Sequence, residues 1–171
     1  MFLACRDALP CEPVHINTRC EIVVNRIQLY DHSHLMVCCV YRPPNSDVTY
    51  LESLCSTMEE VIEMYPNDMI WITGDINLPH VDWENNTVQN SSYPVPLYDI
   101  FLDFLSIHSF TQMVNFPTRG NNILDIFCCN RPALITMCKP LPGISDHDIL
   151  FITSLLSVKI NPPVKKDLLM V

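Results

Sequence analysis

Three short segments decide the fold that we expect of this chain: Gly74-Asp75-Ile76-Asn77, Leu124-Asp125-Ile126 and Ser145-Asp146-His147. Each lies beside a run of large apolar residues, such as Met69–Ile72 before Asp75 and Ile149–Ile152 after His147. Apolar runs of this length, bounded by turn residues, predict buried strands. A carboxylate at the end of a buried strand is costly to leave unpaired. The three aspartates, Asn77 and His147 are therefore expected to share one site, where a metal ion, water or a phosphate offsets the desolvation.

The composition is that of one folded domain. The chain has 171 residues, of which 49% are hydrophobic and 17% charged, so it can bury a substantial core and is not globally disordered. The formal net charge is -9, whereas a nucleic-acid-binding protein normally needs a basic surface to displace counterions. The charge argues against tight autonomous DNA binding, but not against phosphodiester chemistry.

The nine cysteines do not form a disulfide or zinc pattern. Their number is odd, no Cys-x-x-Cys pair occurs, and Cys38-Cys39 and Cys128-Cys129 lie inside apolar runs. This pattern predicts reduced thiols in a reducing compartment. No apolar run approaches the length of a membrane span, and Met1–Arg6 is too short for a signal peptide, so we expect an intracellular protein without a membrane partner.

The apolar pattern predicts an α/β fold with many strands and two helices. Strands are expected at Phe2–Cys5, Glu21–Leu29, Leu35–Tyr41, 68–73, 123–129, 133–138 and 148–156. Apolar residues at helical spacing predict amphipathic helices over 48–65, capped by Ser46 or Asp47, and over 97–105. Residues 78–96 read as a long polar loop. We expect one domain over residues 1–157 and a tail or linker over 158–171. The irregular connections favour an α/β sandwich over a regular βαβ arrangement, and no Gly-rich phosphate loop is present.

Four blocks in the order of the chain carry a resemblance to a known family. They are Val40–Asn45, Gly74–Pro79 with Asp82-Trp83, Phe116–Arg119 with Asn122–Ile126, and Ile144–His147. Together they resemble the endonuclease/exonuclease/phosphatase superfamily, most closely the endonuclease domain of non-LTR (LINE-type) retrotransposons. The likeness spans roughly residues 1–157. It implies a sandwich of two mixed β-sheets flanked by helices, with the active site where loops emerge at one end.

The resemblance also implies catalytic roles for individual residues. Asp75 would orient or deprotonate the attacking water, and Asn77 would donate a hydrogen bond to the phosphate. His147 would bind or protonate a phosphate oxygen, with its tautomer held by Asp125. The Tyr41 hydroxyl would contact the phosphate.

The remaining implied roles concern a divalent metal ion, Mg²⁺ or Mn²⁺. Asp146 would lie at or beside the metal, and Thr118 and Ser145 would be supporting hydrogen-bond partners. Family members begin earlier, and their first strands carry an Asn and a Glu that is the principal metal ligand. Because Met1–Arg6 resembles a strand past both, the resemblance implies a domain truncated at its N-terminus, with impaired metal binding; Mg²⁺ requires a near-ideal oxygen shell.

Each of these residues also has an ordinary structural interpretation. Asp125 is typical of a strand-end turn, Asn77 of a turn cap and Tyr41 of an aromatic residue at the core edge. Arg42 is interpreted as a surface charge, and Trp83 as a packing residue of its loop. The histidines without a motif are expected on loops or on a helix surface: His32, His34, His80 and His108.

Three functions remain open from the sequence. The first is a metal-dependent DNA endonuclease domain of a retrotransposon-derived protein, which would leave a 3′-hydroxyl and act in the nucleus beside a reverse transcriptase. The second is an inactive remnant that at most binds partners, and the third is a phosphatase for small substrates. Arg42–Asn45 and Pro117–Arg119 favour the retrotransposon branch. Lys165-Lys166 is too short for a convincing nuclear import signal.

Overall fold

The computed structural model describes residues 3–88, 95–143, 145–158 and 160. Its helices and strands are, in chain order, β1 (Cys11–Val14), β2 (Glu21–Gln28), β3 (His34–Tyr41), α1 (Val48–Met64), β4 (Met69–Asp75), β5 (Val81–Asp82), β6 (Thr87–Val88), α2 (Val95–Ile107), β7 (Thr111–Gln112), β8 (Asp125–Cys129), β9 (Ile135–Leu141) and β10 (Ile149–Ser154), with one 3₁₀ turn at Pro132–Leu134.

A six-stranded mixed sheet forms the centre of the fold. Its strand order is β1-β2-β3-β4-β8-β7. β3 and β4 run parallel, and the other described pairs of this sheet are antiparallel. Parallel neighbours need a crossover, which α1 provides. This helix begins after Asp47, whose carboxylate accepts a hydrogen bond from the Tyr50 backbone N–H at 3.1 Å.

The helices cover one face of this sheet. Both α1 and α2 present an apolar stripe to it, as the helical spacing predicts. The buried cluster includes Met36, Cys38, Leu54, Met58, Ile70, Ile72, Phe101, Ile126 and Cys128.

A second, two-stranded antiparallel sheet of β9 and β10 covers part of the opposite face. Trp71 and Phe127 on that face meet edge to face, with ring centroids 5.3 Å apart. They pack against apolar side chains of the second sheet: Ile135, Cys138, Leu150 and Ile152. The predicted α/β sandwich of sheets flanked by helices is confirmed.

Most predicted elements are present, but two expectations about short segments are wrong, and further short strands were not predicted. Residues 3–5 of the expected first strand are irregular, and β1 is instead the edge strand that pairs with β2. The expected loop over 78–96 contains the small β5–β6 hairpin. β7 was not predicted, because strands of two to four residues are too short to show a period of two. Residues 89–94 of that loop, and all of the expected tail except residues 158 and 160, lie outside the described residues.

The described residues include no helix that is long and apolar enough to cross a bilayer. All nine cysteines have free thiols. Five of them are buried (Cys20, Cys38, Cys55, Cys128 and Cys129), and the other four are half-buried.

Candidate active site

Three neighbouring strands, β3, β4 and β8, have polar residues at the ends that meet on one side of the main sheet. The register pairs Tyr41 of β3 with Asp75 of β4, and Asp75 with Asp125 of β8. Paired residues of adjacent strands point to the same face. Tyr41, Asp75 and Asp125 therefore form a row across the sheet, on the face that also carries Phe127 and the second sheet.

His147 completes a compact group with two of these residues. Its Nδ1 atom lies 2.8 Å from Oδ2 of Asp125, and the two side chains are 24% and 18% exposed. The possible ligand atoms of Asp75, Asp125 and His147 all lie within 4.8 Å of one another. Asp125 thus occupies one ring nitrogen of His147 and leaves Nε2 for another partner.

The electrostatics of Asp75 indicate that negative charge is crowded here. Burial, followed by the charge of Asp125, raises the pKa of the Asp75 carboxyl. The Asn77 backbone N–H, which donates to Asp75 Oδ1 at 3.0 Å, and the charge of His147 act in the opposite direction but do not cancel the rise. Two carboxylates this close repel each other, and a bound cation or a proton relieves that repulsion.

Thr118 links the segment that carries Asp125 to the segment that carries His147. Its hydroxyl oxygen accepts hydrogen bonds from the backbone N–H groups of Leu124 and Asp125, each at 3.0 Å, and the residue is only 2% exposed. Its carbonyl oxygen accepts from the Asp148 N–H at 2.8 Å. One residue therefore fixes both the start of β8 and the loop that carries His147.

Two glycines allow backbones to approach closely at the site. A Cβ atom on Gly74 would lie 1.9 Å from the Val40 carbonyl oxygen, and the φ of Gly74 is +133°. A Cβ atom on Gly143 would lie 1.8 Å from the His147 carbonyl oxygen. Any side chain at either position would displace the segment that holds Asp75 or the one that holds His147.

Asn77 and Arg42 lie next to Asp75, and the side chain of each donates a hydrogen bond to the backbone carbonyl oxygen of the other; we call this arrangement the clasp. The Arg42 guanidinium donates to the Asn77 carbonyl oxygen at 3.0 Å, and the Asn77 side-chain amide donates to the Arg42 carbonyl oxygen at 2.9 Å. The Arg42 backbone N–H also donates to the Asp75 carbonyl oxygen at 2.9 Å. Asn77 has a φ of 49°, in the left-handed region that asparagine tolerates better than most residues. One amide N–H of Asn77 is therefore committed to holding the turn.

The expectation that Arg42 is a surface charge is wrong. Its side chain is 0% exposed, and it also donates to the Ser46 carbonyl oxygen at 2.7 Å. The sequence contains one signal for this burial, which is that Arg42 directly follows the apolar run of β3. The pattern alone could not show that carbonyl oxygens of two loops would surround the guanidinium.

Asp146 lies beside the compact group and not within it. Its carboxylate forms an ion pair with Arg119 at 2.7 Å, and the two side chains are 63% and 47% exposed. A backbone hydrogen bond within Asp146, together with Arg119, lowers the pKa of this carboxyl. Ser145 accepts from the His147 backbone N–H at 3.3 Å and so supports the loop. Arg119 was not singled out from the sequence as a site residue.

The two aspartates and His147 suit a divalent cation in the chemistry of their donor atoms. Carboxylate oxygens are the ligands that Mg²⁺ and Mn²⁺ prefer, and waters and substrate phosphates commonly complete such shells. The raised pKa of Asp75 fits this role, since a cation would offset the repulsion between the carboxylates.

Comparisons with known proteins agree with this architecture. Residues 35–151 match the family model described as endonuclease-reverse transcriptase. No curated protein matches the chain.

Several solved structures share the fold. The endonuclease domain of TRAS1, a telomere-specific non-LTR retrotransposon, superposes with a TM-score of 0.66 at 16% identity, covering 92% of this chain and 72% of that one. The 3′ phosphatase NExo from Neisseria, bound to a product DNA hairpin, gives 0.54 at 12% identity, covering 84% and 71%. The Xenopus laevis APE2 catalytic domain gives 0.52 at 15% identity, covering 85% and 58%. The chain has the fold of the endonuclease/exonuclease/phosphatase superfamily, and it belongs to the endonuclease-reverse transcriptase family.

Proposed function

We propose that this chain is the DNA endonuclease domain of a retrotransposon-derived protein, which hydrolyses phosphodiester bonds with the help of a divalent cation, Mg²⁺ or Mn²⁺. The observation that carries the proposal is the group of Asp75, Asp125 and His147, whose possible ligand atoms lie within 4.8 Å at one edge of the sheet. The family match over residues 35–151 supports it.

The proposed roles follow from the contacts of these side chains. Asp75 orients the attacking water and accepts its proton, for which a carboxyl with a raised pKa is better suited than an ordinary one. His147 presents Nε2 to a phosphate oxygen, while Asp125 holds Nδ1 and fixes the orientation of the ring. A bound divalent cation would supply charge compensation on the non-bridging phosphate oxygens.

The other predicted residues have supporting roles in the proposal. Asn77 and Tyr41 contact the phosphate, and Thr118 and Ser145 hold the loops in place. Asp146 is proposed to bind the metal, for which its carboxylate must exchange Arg119 for the cation. Both side chains are largely exposed, and an exposed ion pair of this kind contributes little to stability, so the exchange is not costly.

The test is a nicking assay on supercoiled plasmid DNA with Mg²⁺ or Mn²⁺. We expect conversion to the open circle by the wild-type chain, and a loss of about 100-fold or more in Asp75→Ala and His147→Ala. Asp103→Asn, on the exposed side of α2, and His15→Ala, in an exposed loop, are matched controls that should retain activity. Wild-type nicking no faster than that of Asp75→Ala would refute the endonuclease and favour the inactive remnant.

A second substrate distinguishes the endonuclease from a phosphatase. The Neisseria neighbour is a 3′ phosphatase, so an oligonucleotide with a 3′-phosphate and a small phosphomonoester are the appropriate comparisons. The proposal predicts faster cleavage of plasmid than release of phosphate from either monoester. The reverse order would favour the phosphatase.

The proposed partner is DNA, and the proposed location is the nucleus, where a retrotransposon endonuclease finds its substrate. The net charge of -9 predicts that the DNA contact is weak. Lys165-Lys166 lies outside the described residues.

A further inference from the structure

Two cysteines near the start of the described chain lie unusually close together. The Sγ atoms of Cys5 and Cys11 are 2.7 Å apart, and both residues are half-buried. A disulfide bond is about 2.05 Å long, so the two sulfurs are only a small movement from bonding distance. The side-chain amide of Asn25 contacts both sulfurs, at 3.6 Å from Cys5 and 3.3 Å from Cys11.

The backbone accounts for this approach. A turn closed by the Leu9 N–H, which donates to the Arg6 carbonyl oxygen at 2.8 Å, folds Cys5 back over β1. Cys11 is held in register opposite Ile27 of β2. The carbonyl oxygen of Pro10 accepts from the Gln28 N–H at 3.0 Å and anchors the end of the turn. The fold itself therefore sets the distance between the sulfurs.

The consecutive cysteines elsewhere in the chain have a different geometry. Cys38-Cys39 and Cys128-Cys129 lie within strands β3 and β8, where successive side chains point to opposite faces. Neighbours of that kind are poorly placed to bond to each other. The pair formed by Cys5 and Cys11 has no such obstacle.

We infer that Cys5 and Cys11 are a redox modification site, which a small-molecule disulfide such as glutathione disulfide converts to an intramolecular disulfide. One protein thiolate attacks glutathione disulfide, forms a mixed disulfide and releases one glutathione. The second protein thiol then attacks that mixed disulfide and releases the other glutathione. In sum the two protein thiols lose two protons and two electrons, and one glutathione disulfide becomes two glutathione molecules.

The surroundings of the pair affect the reactivity of its sulfurs. Burial, followed by the neighbouring Cys5 sulfur, raises the pKa of the Cys11 thiol to about 11. Cys11 is therefore rarely ionised near neutral pH, and its reaction depends on a base or on the approach of the second sulfur. The N–H groups of Asn25 stabilise negative charge on either sulfur during the exchange.

The disulfide would tie the start of the described chain to an edge strand. β1 is the outermost strand of the main sheet on its side, and an edge strand with unpaired backbone groups is a place where chains associate. Closing the loop between Cys5 and Cys11 would hold the turn against β1 and limit its opening.

The experiment uses the natural position of Arg6 between the two cysteines. The whole chain is treated with glutathione disulfide under native conditions, remaining thiols are alkylated, and the protein is cut with trypsin after Arg6 and Arg19. We expect residues 1–6 to be joined to residues 7–19, with a mass lower than that of the two thiol peptides by two hydrogen atoms. Cys5→Ser and Cys11→Ser should abolish this product, and Cys39→Ser, a matched half-buried control, should retain it.

The rate of disulfide formation gives an independent check. If the native fold positions the sulfurs, the disulfide should form at least about tenfold faster in the folded chain than in the chain unfolded by urea. Equal rates in the two states would overturn the inference. Native protein that carries glutathione on both cysteines, or that joins Cys5 to a different cysteine, would overturn it as well.

Discussion

At the scale of single residues, the site consists of ionisable side chains that are largely shielded from water. Asp75 and Asp125 face each other across adjacent strands, and His147 relieves part of their repulsion by bonding to Asp125. Burial, followed by the charge of Asp125, raises the pKa of the Asp75 carboxyl. A raised carboxyl pKa of this kind lowers the stability of the folded state at neutral pH, and such groups are typical of sites that bind a proton or a cation.

Asp75→Asn is therefore expected to stabilise the folded chain at neutral pH. A raised pKa means that the folded state holds the Asp75 proton more tightly than the unfolded state does. Ionisation therefore removes stability as the pH rises from the ordinary carboxyl pKa, about 4, towards the raised value. The amide avoids this cost and can still accept from the Asn77 N–H. We expect the free energy of unfolding at pH 7 to rise by about 1 kcal/mol.

Urea unfolding at two pH values checks this prediction. The gain should disappear near pH 3, about one unit below the ordinary pKa, where the wild-type carboxyl is also protonated. Asp103→Asn, exposed on α2, should change the free energy of unfolding little at either pH. An Asp75→Asn chain that is less stable than wild type at pH 7 would contradict the argument.

Arg42→Met is expected to be strongly destabilising. The buried guanidinium donates to the carbonyl oxygens of Asn77 and Ser46, and methionine fills similar volume but leaves both acceptors without this donor. Unsatisfied buried acceptors cost about 1–3 kcal/mol each, so we expect a loss of about 2–5 kcal/mol in chemical denaturation. Arg19→Met, at an exposed position, is the matched control. A loss below about 1 kcal/mol would show that the clasp is not important for stability.

At the scale of elements, the parallel pairing of β3 with β4 carries the site. Val40 is paired with Gly74 one residue before Tyr41 is paired with Asp75, so the two strands must approach closely just before the site. The absence of a side chain at Gly74 allows this approach. The positions of Tyr41, Asp75 and Asp125 relative to one another therefore depend on the last residue pairs of β3 and β4.

Gly74→Ala and Gly120→Ala form a matched pair at this scale. The added methyl at position 74 would lie 1.9 Å from the Val40 carbonyl oxygen, whereas at position 120 it meets nothing within 4 Å. Both glycines have positive φ, +133° and +57°, but only the first substitution forces strands apart. We expect a loss of more than about 3 kcal/mol for Gly74→Ala and of about 1 kcal/mol for Gly120→Ala, measured by thermal and chemical unfolding. Equal losses would mean that neither the contact with Val40 nor the more extreme φ of Gly74 limits the substitution.

The positions of the longer strands and helices could be predicted from the sequence. β2, β3, α1 and α2 appear near their expected positions, because long segments repeat their apolar residues often enough to reveal a period. β1 and β7 were not predicted, because they are short and contain polar residues or proline. Their pairing comes from the strand beside them and not from their own pattern.

At the scale of the whole molecule, the net charge bears on the proposed contact with DNA. A net charge of -9 opposes approach to a polyanion, so the proposal requires local contacts and divalent cations to offset the repulsion. We expect the dissociation constant for a short labelled duplex, measured by fluorescence anisotropy at about 0.15 M salt, to be weaker than about 10 μM in EDTA. Mg²⁺ should tighten binding for the wild-type chain, and tight binding in EDTA would contradict this expectation.

The sequence alone determined the class of fold, the positions of the long strands and helices, and the residues that approach a phosphate in the proposal. Residue spacing predicted the strands and helices because burial on one face of an element repeats with its period, whereas the proposed roles of the site residues came from the resemblance to the superfamily. The tertiary structure decided which of those residues touch. It placed His147 against Asp125, paired Asp146 with Arg119, and enclosed Arg42 among backbone carbonyls. Those contacts depend on packing between segments far apart in the chain, and the spacing of residues within one segment does not contain that information.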